Sequence, residues 1–143
     1  MSYSKEMYRE IILDHVANPR NKGKDENYNS ITLKNPSCGD IITVYTLIEE
    51  NKIIDLKYEV EGCSITVSSA SIMSELLKEK TVQEAKIIID NFFNMLTNKE
   101  FEENLLEEAI SYSGIKDVPT RIKCATLPYK AFLESIGETN ERL

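Results

Sequence analysis

Ile41-Ile42-Thr43-Val44-Tyr45-Thr46-Leu47-Ile48 is followed by Glu49-Glu50-Asn51-Lys52 and then by Ile53-Ile54-Asp55-Leu56-Lys57-Tyr58-Glu59-Val60. Two runs rich in β-branched and aromatic residues thus flank a polar stretch whose length and composition suit a hairpin. Ile31 and Leu33 start the same period of two just upstream, so the expectation is three short antiparallel strands. On either side the period changes to that of a helix. Met7, Tyr8, Ile11, Ile12 and Val16 form a stripe from Ser4 to about Val16, and Asn18-Pro19-Arg20-Asn21-Lys22-Gly23 stops it, because Pro disfavours the helical region in its predecessor. Beyond Cys63, small residues mixed with Ile65, Val67, Ile72, Met73, Leu76 and Leu77 predict a helix ending near Lys80, its first half open to a close neighbour. Thr81-Val82-Gln83-Glu84 has the capping-box pattern and opens a further helix.

The acidic stretch Glu100 to Tyr112 is amphipathic, ended by Gly114, and reads as a solvated face. The last helix is expected to start close to Pro128, since Pro is tolerated in a first turn, and to run to about Ile136 with Tyr129, Phe132 and Leu133 in the core. The pattern is that of an α+β fold. With 143 residues the chain suits a single domain over 1–143. Seventeen basic against 24 acidic residues give a formal charge of −7, which leaves no positive excess for a phosphate backbone, so no nucleic-acid partner is expected. No apolar run approaches the roughly 18 residues of a membrane helix, and Met1 to Glu10 lacks the apolar stretch of a signal peptide. The expectation is a cytoplasmic protein with no membrane association.

Cys38, Cys63 and Cys124 are an odd number of cysteines, and in a reducing compartment such residues are ligands, nucleophiles or small core side chains rather than disulfides. Cys38 lies between two strands in Asn35-Pro36-Ser37-Cys38-Gly39-Asp40. Cys63 lies at a strand-to-helix junction in Glu61-Gly62-Cys63-Ser64, and Cys124 just upstream of Pro128. All three are thus expected at element ends, where ligands and nucleophiles collect and where a helix N-terminus favours a thiolate. Asp40, two residues past Cys38 with Gly39 between, can point the same way. Three thiolates and a carboxylate suit a tetrahedral zinc set whose single oxygen is its most replaceable ligand. The absence of any CxxC pair leaves unrelated thiols open as the alternative.

Pro36-Ser37-Cys38-Gly39-Asp40, Gly62-Cys63-Ser64 and Arg121-Ile122-Lys123-Cys124-Ala125-Thr126-Leu127 resemble the three cysteine motifs of the IscU/NifU-N/SufU family. Leu13-Asp14-His15 with Asn18-Pro19-Arg20-Asn21 resembles its N-terminal signature, and the similarity covers nearly the whole chain in order. The family fold is α+β, a three-stranded antiparallel sheet with helices packed mainly on one face. Lys123 stands where the scaffold branch carries His, the upstream Asp117-Val118-Pro119-Thr120 departs from that branch's chaperone motif, and Asn98 to Ser113 resembles an insertion of the SufU branch.

The resemblance implies that Cys38, Asp40, Cys63 and Cys124 bind Zn²⁺. It also implies that a SufS-type cysteine desulfurase supplies a His displacing Cys38, which then accepts sulfur and passes it toward a downstream iron–sulfur assembly scaffold. Cys38 is the expected acceptor, with Cys124 the competing choice. Arg121 and Lys123 would stabilise thiolate or persulfide, or else be solvated surface charge. His15 reads as a packing or capping residue. The runner-up function is an IscU-like cluster scaffold holding iron or an iron–sulfur cluster, and a third is a zinc-stabilised adaptor without catalysis.

Overall fold

A computed structural model describes residues 3–36 and 38–138. Helix α1 (Lys5–Ala17) leads into strands β1 (Asn29–Asn35), β2 (Asp40–Glu49) and β3 (Lys52–Glu61), which form an antiparallel sheet in the order β1-β2-β3. Glu49 pairs with Lys52, and the two residues between them, Glu50 and Asn51, have φ of 51° and 67°. Two successive left-handed residues make the turn whose twist matches the strands it joins. Along β2, buried Asp40, Ile42, Val44 and Thr46 alternate with half-buried Ile41, Thr43, Tyr45 and Leu47, so one face of the sheet turns inward.

Onto that face pack α2 (Ser64–Leu77) and α4 (Pro119–Ser135), α4 against β1 and β2 and α2 against β3, with α1 on the outer side of α2. This is the α+β arrangement expected from the sequence. The small residues of α2 act as foreseen: Ser68, Ser69, Ala70, Ser71 and Ser74 are all fully buried, and the Ser69 hydroxyl donates to the Ala125 carbonyl of α4 at 2.6 Å. Small side chains let the helix axes approach, and the hydroxyl satisfies its own desolvation across the contact. Helix α3 (Val82–Leu96) opens on the expected capping box: Thr81 Oγ1 accepts from the Glu84 N–H at 3.1 Å, and Glu84 Oε1 accepts from the Thr81 N–H at 2.9 Å. Among the described residues no helix is long and apolar enough to cross a membrane.

Three boundaries differ from the sequence reading. Helix α2 stops at Leu77 rather than near Lys80, because Glu79 turns left-handed (φ 72°) and the backbones of residues 79 and 80 bond to Ile53 of β3. The acidic stretch folds as two 3₁₀ helices, Glu103–Leu105 and Glu107–Ile115, rather than one amphipathic helix; Glu102, Glu103 and Glu107 are exposed as expected of its solvated face, while Leu106, Ala109, Ile110, Tyr112 and Ile115 are buried and close the core beside α1, α2 and α3. Helix α4 starts at Pro119, so Pro128 lies inside it. Pro119 takes the first-turn position where no N–H is needed, while Pro128 withholds the N–H that the Cys124 carbonyl would otherwise accept within the helix. The Tyr129, Phe132 and Leu133 stripe is in the core as expected.

Candidate functional site

The β1–β2 turn, the β3–α2 junction and the second turn of α4 converge at one end of the sheet. Asn35 and Asp40 face each other as the last pair of β1 and β2. The turn between them is closed by Cys38 N–H and Gly39 N–H, both donating to the Asn35 carbonyl at 3.2 and 2.9 Å. Gly39 has φ of 72°, a conformation most side chains resist. This geometry sends Cys38 outward and Asp40 inward: Cys38 is exposed, whereas Asp40 is 0% exposed. Ser37 of this motif lies outside the described residues.

Asp40 is held from two sides. Its Oδ1 accepts the Cys63 N–H at 3.0 Å, and its Oδ2 lies 3.5 Å from Asn35 Nδ2. Cys63 is the N-cap residue of α2, so the carboxylate sits where the helix presents positive potential. Gly62 makes the approach feasible, since a Cβ there would stand 2.3 Å from Asp40 Oδ1. Asn35 also reaches Cys124, its Nδ2 lying 3.9 Å from Sγ. Cys124 is buried inside α4, not at an element end as the sequence suggested, and its thiol approaches Cys38 Sγ at 3.3 Å. Burial pushes the Cys124 thiol up, and Cys38, Asp40 and Cys63 beside it add to the rise.

Donor atoms of Cys38, Asp40 and Cys124 all lie within 4.8 Å of one another. Zinc bonds of about 2.3 Å to sulfur and 2.0–2.2 Å to oxygen require donors spaced on this scale. Two thiols and a carboxylate with few protein donors also fit a cation by charge, because a bound metal holds thiols deprotonated and offsets the desolvation of buried anions. Cys63 is exposed at the edge of this triad; its Sγ contacts Thr66 Oγ1 at 3.4 Å while remaining near enough to act on Cys124. Arg121 lies one helical turn before Cys124, exposed in the first turn of α4. Asn35, Gly62 and Thr66 went unnoticed in the sequence, although the first two lie inside or beside the cysteine motifs.

A second group, His15, Glu75 and Glu108, also has donor atoms within 4.8 Å of one another. Here the partners are supplied by the protein. His15 is fully buried, with Nδ1 2.7 Å from Ser71 Oγ and Nε2 3.0 Å from Glu108 Oε1, and Arg20 Nε is 3.9 Å from Glu75. Histidine thus packs and pairs, as expected from its place on α1, and ties the 3₁₀ segment to α1 and α2.

Residues 7–125 match the family described as "NifU-like N terminal domain". The chain is 36% identical to the zinc-dependent sulfurtransferase SufU of Bacillus subtilis over 92% of this chain and 90% of that protein. It is 33% identical to the iron–sulfur cluster assembly scaffold protein IscU of Streptococcus pyogenes over 91% of this chain and 82% of that one. Among solved structures, a candidate iron–sulfur cluster assembly scaffold for the SUF system from Fervidobacterium islandicum superposes with a TM-score of 0.83 at 40% identity, covering 90% of this chain and 96% of that one. The sheet, the helices on its inner face and three cysteines gathered at one sheet end agree with these similarities, and the chain belongs to the NifU-like N-terminal domain family of iron–sulfur cluster assembly.

Proposed function

We propose that this chain, folding as one domain over 1–143, is a zinc-dependent persulfide acceptor that stimulates a SufS-type cysteine desulfurase in the cytoplasm and hands sulfur to a downstream iron–sulfur assembly scaffold. One observation carries the reading: an exposed thiol, Cys38, sits on a glycine turn 3.3 Å from the buried Cys124, so within this pair one sulfur faces a visiting protein while the other stays behind it. The similarity to the Bacillus subtilis zinc-dependent sulfurtransferase supports it.

In this reading Cys38, Asp40, Cys63 and Cys124 hold zinc, which when bound keeps thiols deprotonated and shields their charge. Asp40 is anchored by the Cys63 N–H and Asn35, and Asn35 also holds the Cys124 side of the cluster. The Cys38 thiolate attacks the outer sulfur of the donor's persulfide; a new S–S bond forms, the donor's own S–S bond breaks, and its cysteine leaves as thiolate. Arg121, exposed one turn before Cys124, lends positive charge to the anionic sulfur during transfer. Turnover of a SufS-type desulfurase on cysteine is expected to rise at least about tenfold with this protein and to stay at its basal rate with Cys38→Ala, tenfold corresponding to about 1.4 kcal/mol in the barrier.

A second reading, an IscU-like scaffold holding iron or an iron–sulfur cluster, is favoured by the similar identity to the Streptococcus pyogenes scaffold. Lys123 argues against it, because an ammonium before Cys124 offers no ligand where a His could coordinate. Anaerobic reconstitution followed by transfer to an apo-ferredoxin separates the two: the sulfur-acceptor reading expects no transferable cluster.

A further inference from the structure

Cys38 and Cys124 bring two sulfurs to 3.3 Å of each other with no bond between them. Reacting atoms about 3–3.5 Å apart are already placed for bond formation, so such a pair needs an oxidant and not a rearrangement. The two sulfurs differ in access: Cys38 is exposed, whereas Cys124 is 3% exposed inside α4. Shortening 3.3 Å to a disulfide of about 2.05 Å asks for roughly 1.3 Å of movement. Cys38 can supply it from its exposed turn between β1 and β2. Cys63 is exposed as well, yet its Sγ turns to Thr66 Oγ1 at 3.4 Å, and it stands outside the group whose donor atoms all lie within 4.8 Å of one another. The pair poised for coupling is therefore Cys38 with Cys124.

We propose that Cys38 and Cys124 form a site of reversible oxidative modification, in which a hydroperoxide oxidises Cys38 and Cys124 resolves the product as an intramolecular disulfide. The peroxide transfers one oxygen to the Cys38 sulfur and leaves as water or an alcohol, giving a sulfenic acid. The Cys124 sulfur then attacks the Cys38 sulfur: the S–S bond forms, the S–O bond breaks, and the departing hydroxide takes the Cys124 proton and leaves as water. Two thiols thus lose two electrons and two protons, and the peroxide is reduced by the same two electrons. Burial disfavours an anionic Cys124, so the second step draws on contact rather than on a ready thiolate. The disulfide takes two sulfur donors out of the cluster and leaves Cys38 unable to accept sulfur. A dithiol reopens it by exchange, its own two thiols ending as a disulfide. The loss of sulfur acceptance rests on the sulfur-acceptor reading above, whereas the crosslink does not.

The purified protein is treated with hydrogen peroxide, remaining thiols are alkylated, and linked peptides are mapped by mass spectrometry without reduction. The expected product is a monomer with Cys38 joined to Cys124 and Cys63 alkylated, at least about tenfold more abundant than any other disulfide, its yield independent of protein concentration because the second step is intramolecular. Cys63→Ala protein should give the same crosslink, which keeps the test decisive even where Cys124→Ala protein does not fold. In folded Cys124→Ala protein, Cys38 should advance to the sulfinic acid, since no resolving thiol lies beside it. A disulfide through Cys63, linked dimers as the main product, or wild-type Cys38 sulfinic acid beside a free Cys124 overturns the proposal, as does failure of dithiothreitol to return both thiols. Desulfurase stimulation by the oxidised and the re-reduced protein then tests the consequence: stimulation is expected only after reduction. If the crosslink forms and neither sample stimulates, the sulfur-acceptor reading fails while the oxidation site stands.

Discussion

Among the described residues two part-buried clusters of metal-ligating residue types are found, and they are built oppositely. Around His15 the hydrogen-bond capacity is closed: Ser71 Oγ meets Nδ1, Glu108 meets Nε2, and Ser71 also accepts the Arg20 N–H at 2.9 Å. Around Asp40 the acceptors outnumber the donors, with two thiols and a fully buried carboxylate served by one backbone N–H and the Asn35 amide. A cluster that satisfies itself stabilises the fold, whereas one that leaves negative charge uncompensated calls for a cation. Ligand type and spacing alone do not separate the two; the supply of protein donors does.

The comparison breaks most readily under metal removal. A strong chelator applied to zinc-loaded protein is expected to lower the melting temperature by at least about 10 °C, on a scale of roughly 2–4 °C per kcal/mol for chains near this size. Calorimetry with and without chelator checks it. Glu108→Gln protein should carry the same zinc content as wild type, since the His15 cluster holds none.

Next in size is His15→Ala, which removes a fully buried ring and strands Ser71 and Glu108. We expect a loss of about 2–4 kcal/mol in denaturant unfolding with unchanged zinc stoichiometry. A variant that loses zinc would show that the two clusters are not independent.

Gly62→Ala sharpens the other side. The added methyl would meet Asp40 Oδ1 at 2.3 Å, so the carboxylate must shift. The expected result is a 10- to 100-fold loss of zinc affinity, measured by competition with a chromogenic chelator, because displacement of a ligand-orienting contact costs affinity on that order. Folding should suffer by only about 1–3 kcal/mol.

The smallest effect belongs to a closed pair at the surface. Tyr28 OH donates to Asp55 Oδ2 at 2.7 Å, and Lys78 Nζ lies 3.2 Å from Asp55 Oδ1. Although burial opposes it, these bonds hold the Asp55 carboxyl below its usual value, and the Tyr28 phenol is pushed up to about 12, first by its hydrogen bond to Asp55. A depressed carboxyl stabilises above its unfolded value and loses that contribution as pH falls through the folded one. A raised phenol stabilises below pH 10 and loses it between 10 and about 12. Tyr28→Phe should therefore flatten the stability profile at both extremes and leave pH 7 zinc content unchanged.

The hairpin, the Thr81 cap, the small-residue face of α2 and the junction positions of Cys38 and Cys63 were legible because each is written within a few neighbouring residues. The start of α4 was not. Pro119 and Pro128 both satisfy the first-turn rule locally, and only packing of the preceding 3₁₀ segment and α4 onto the sheet selects the earlier one. That error hid the burial of Cys124, which depends on the whole helix. Asn35 and Gly62 were missed for a related reason: their roles exist only once Asp40, remote from Gly62 in sequence, arrives beside them.

The division between one outward sulfur and one buried sulfur is tested most directly by mapping persulfide after a single desulfurase turnover. With Cys38 exposed and Cys124 buried 3.3 Å away, the sulfur is expected on Cys38, with Cys63 and Cys124 unmodified in the mass spectrum of the peptides. Sulfur found on Cys124 with Cys38 unmodified would contradict the account.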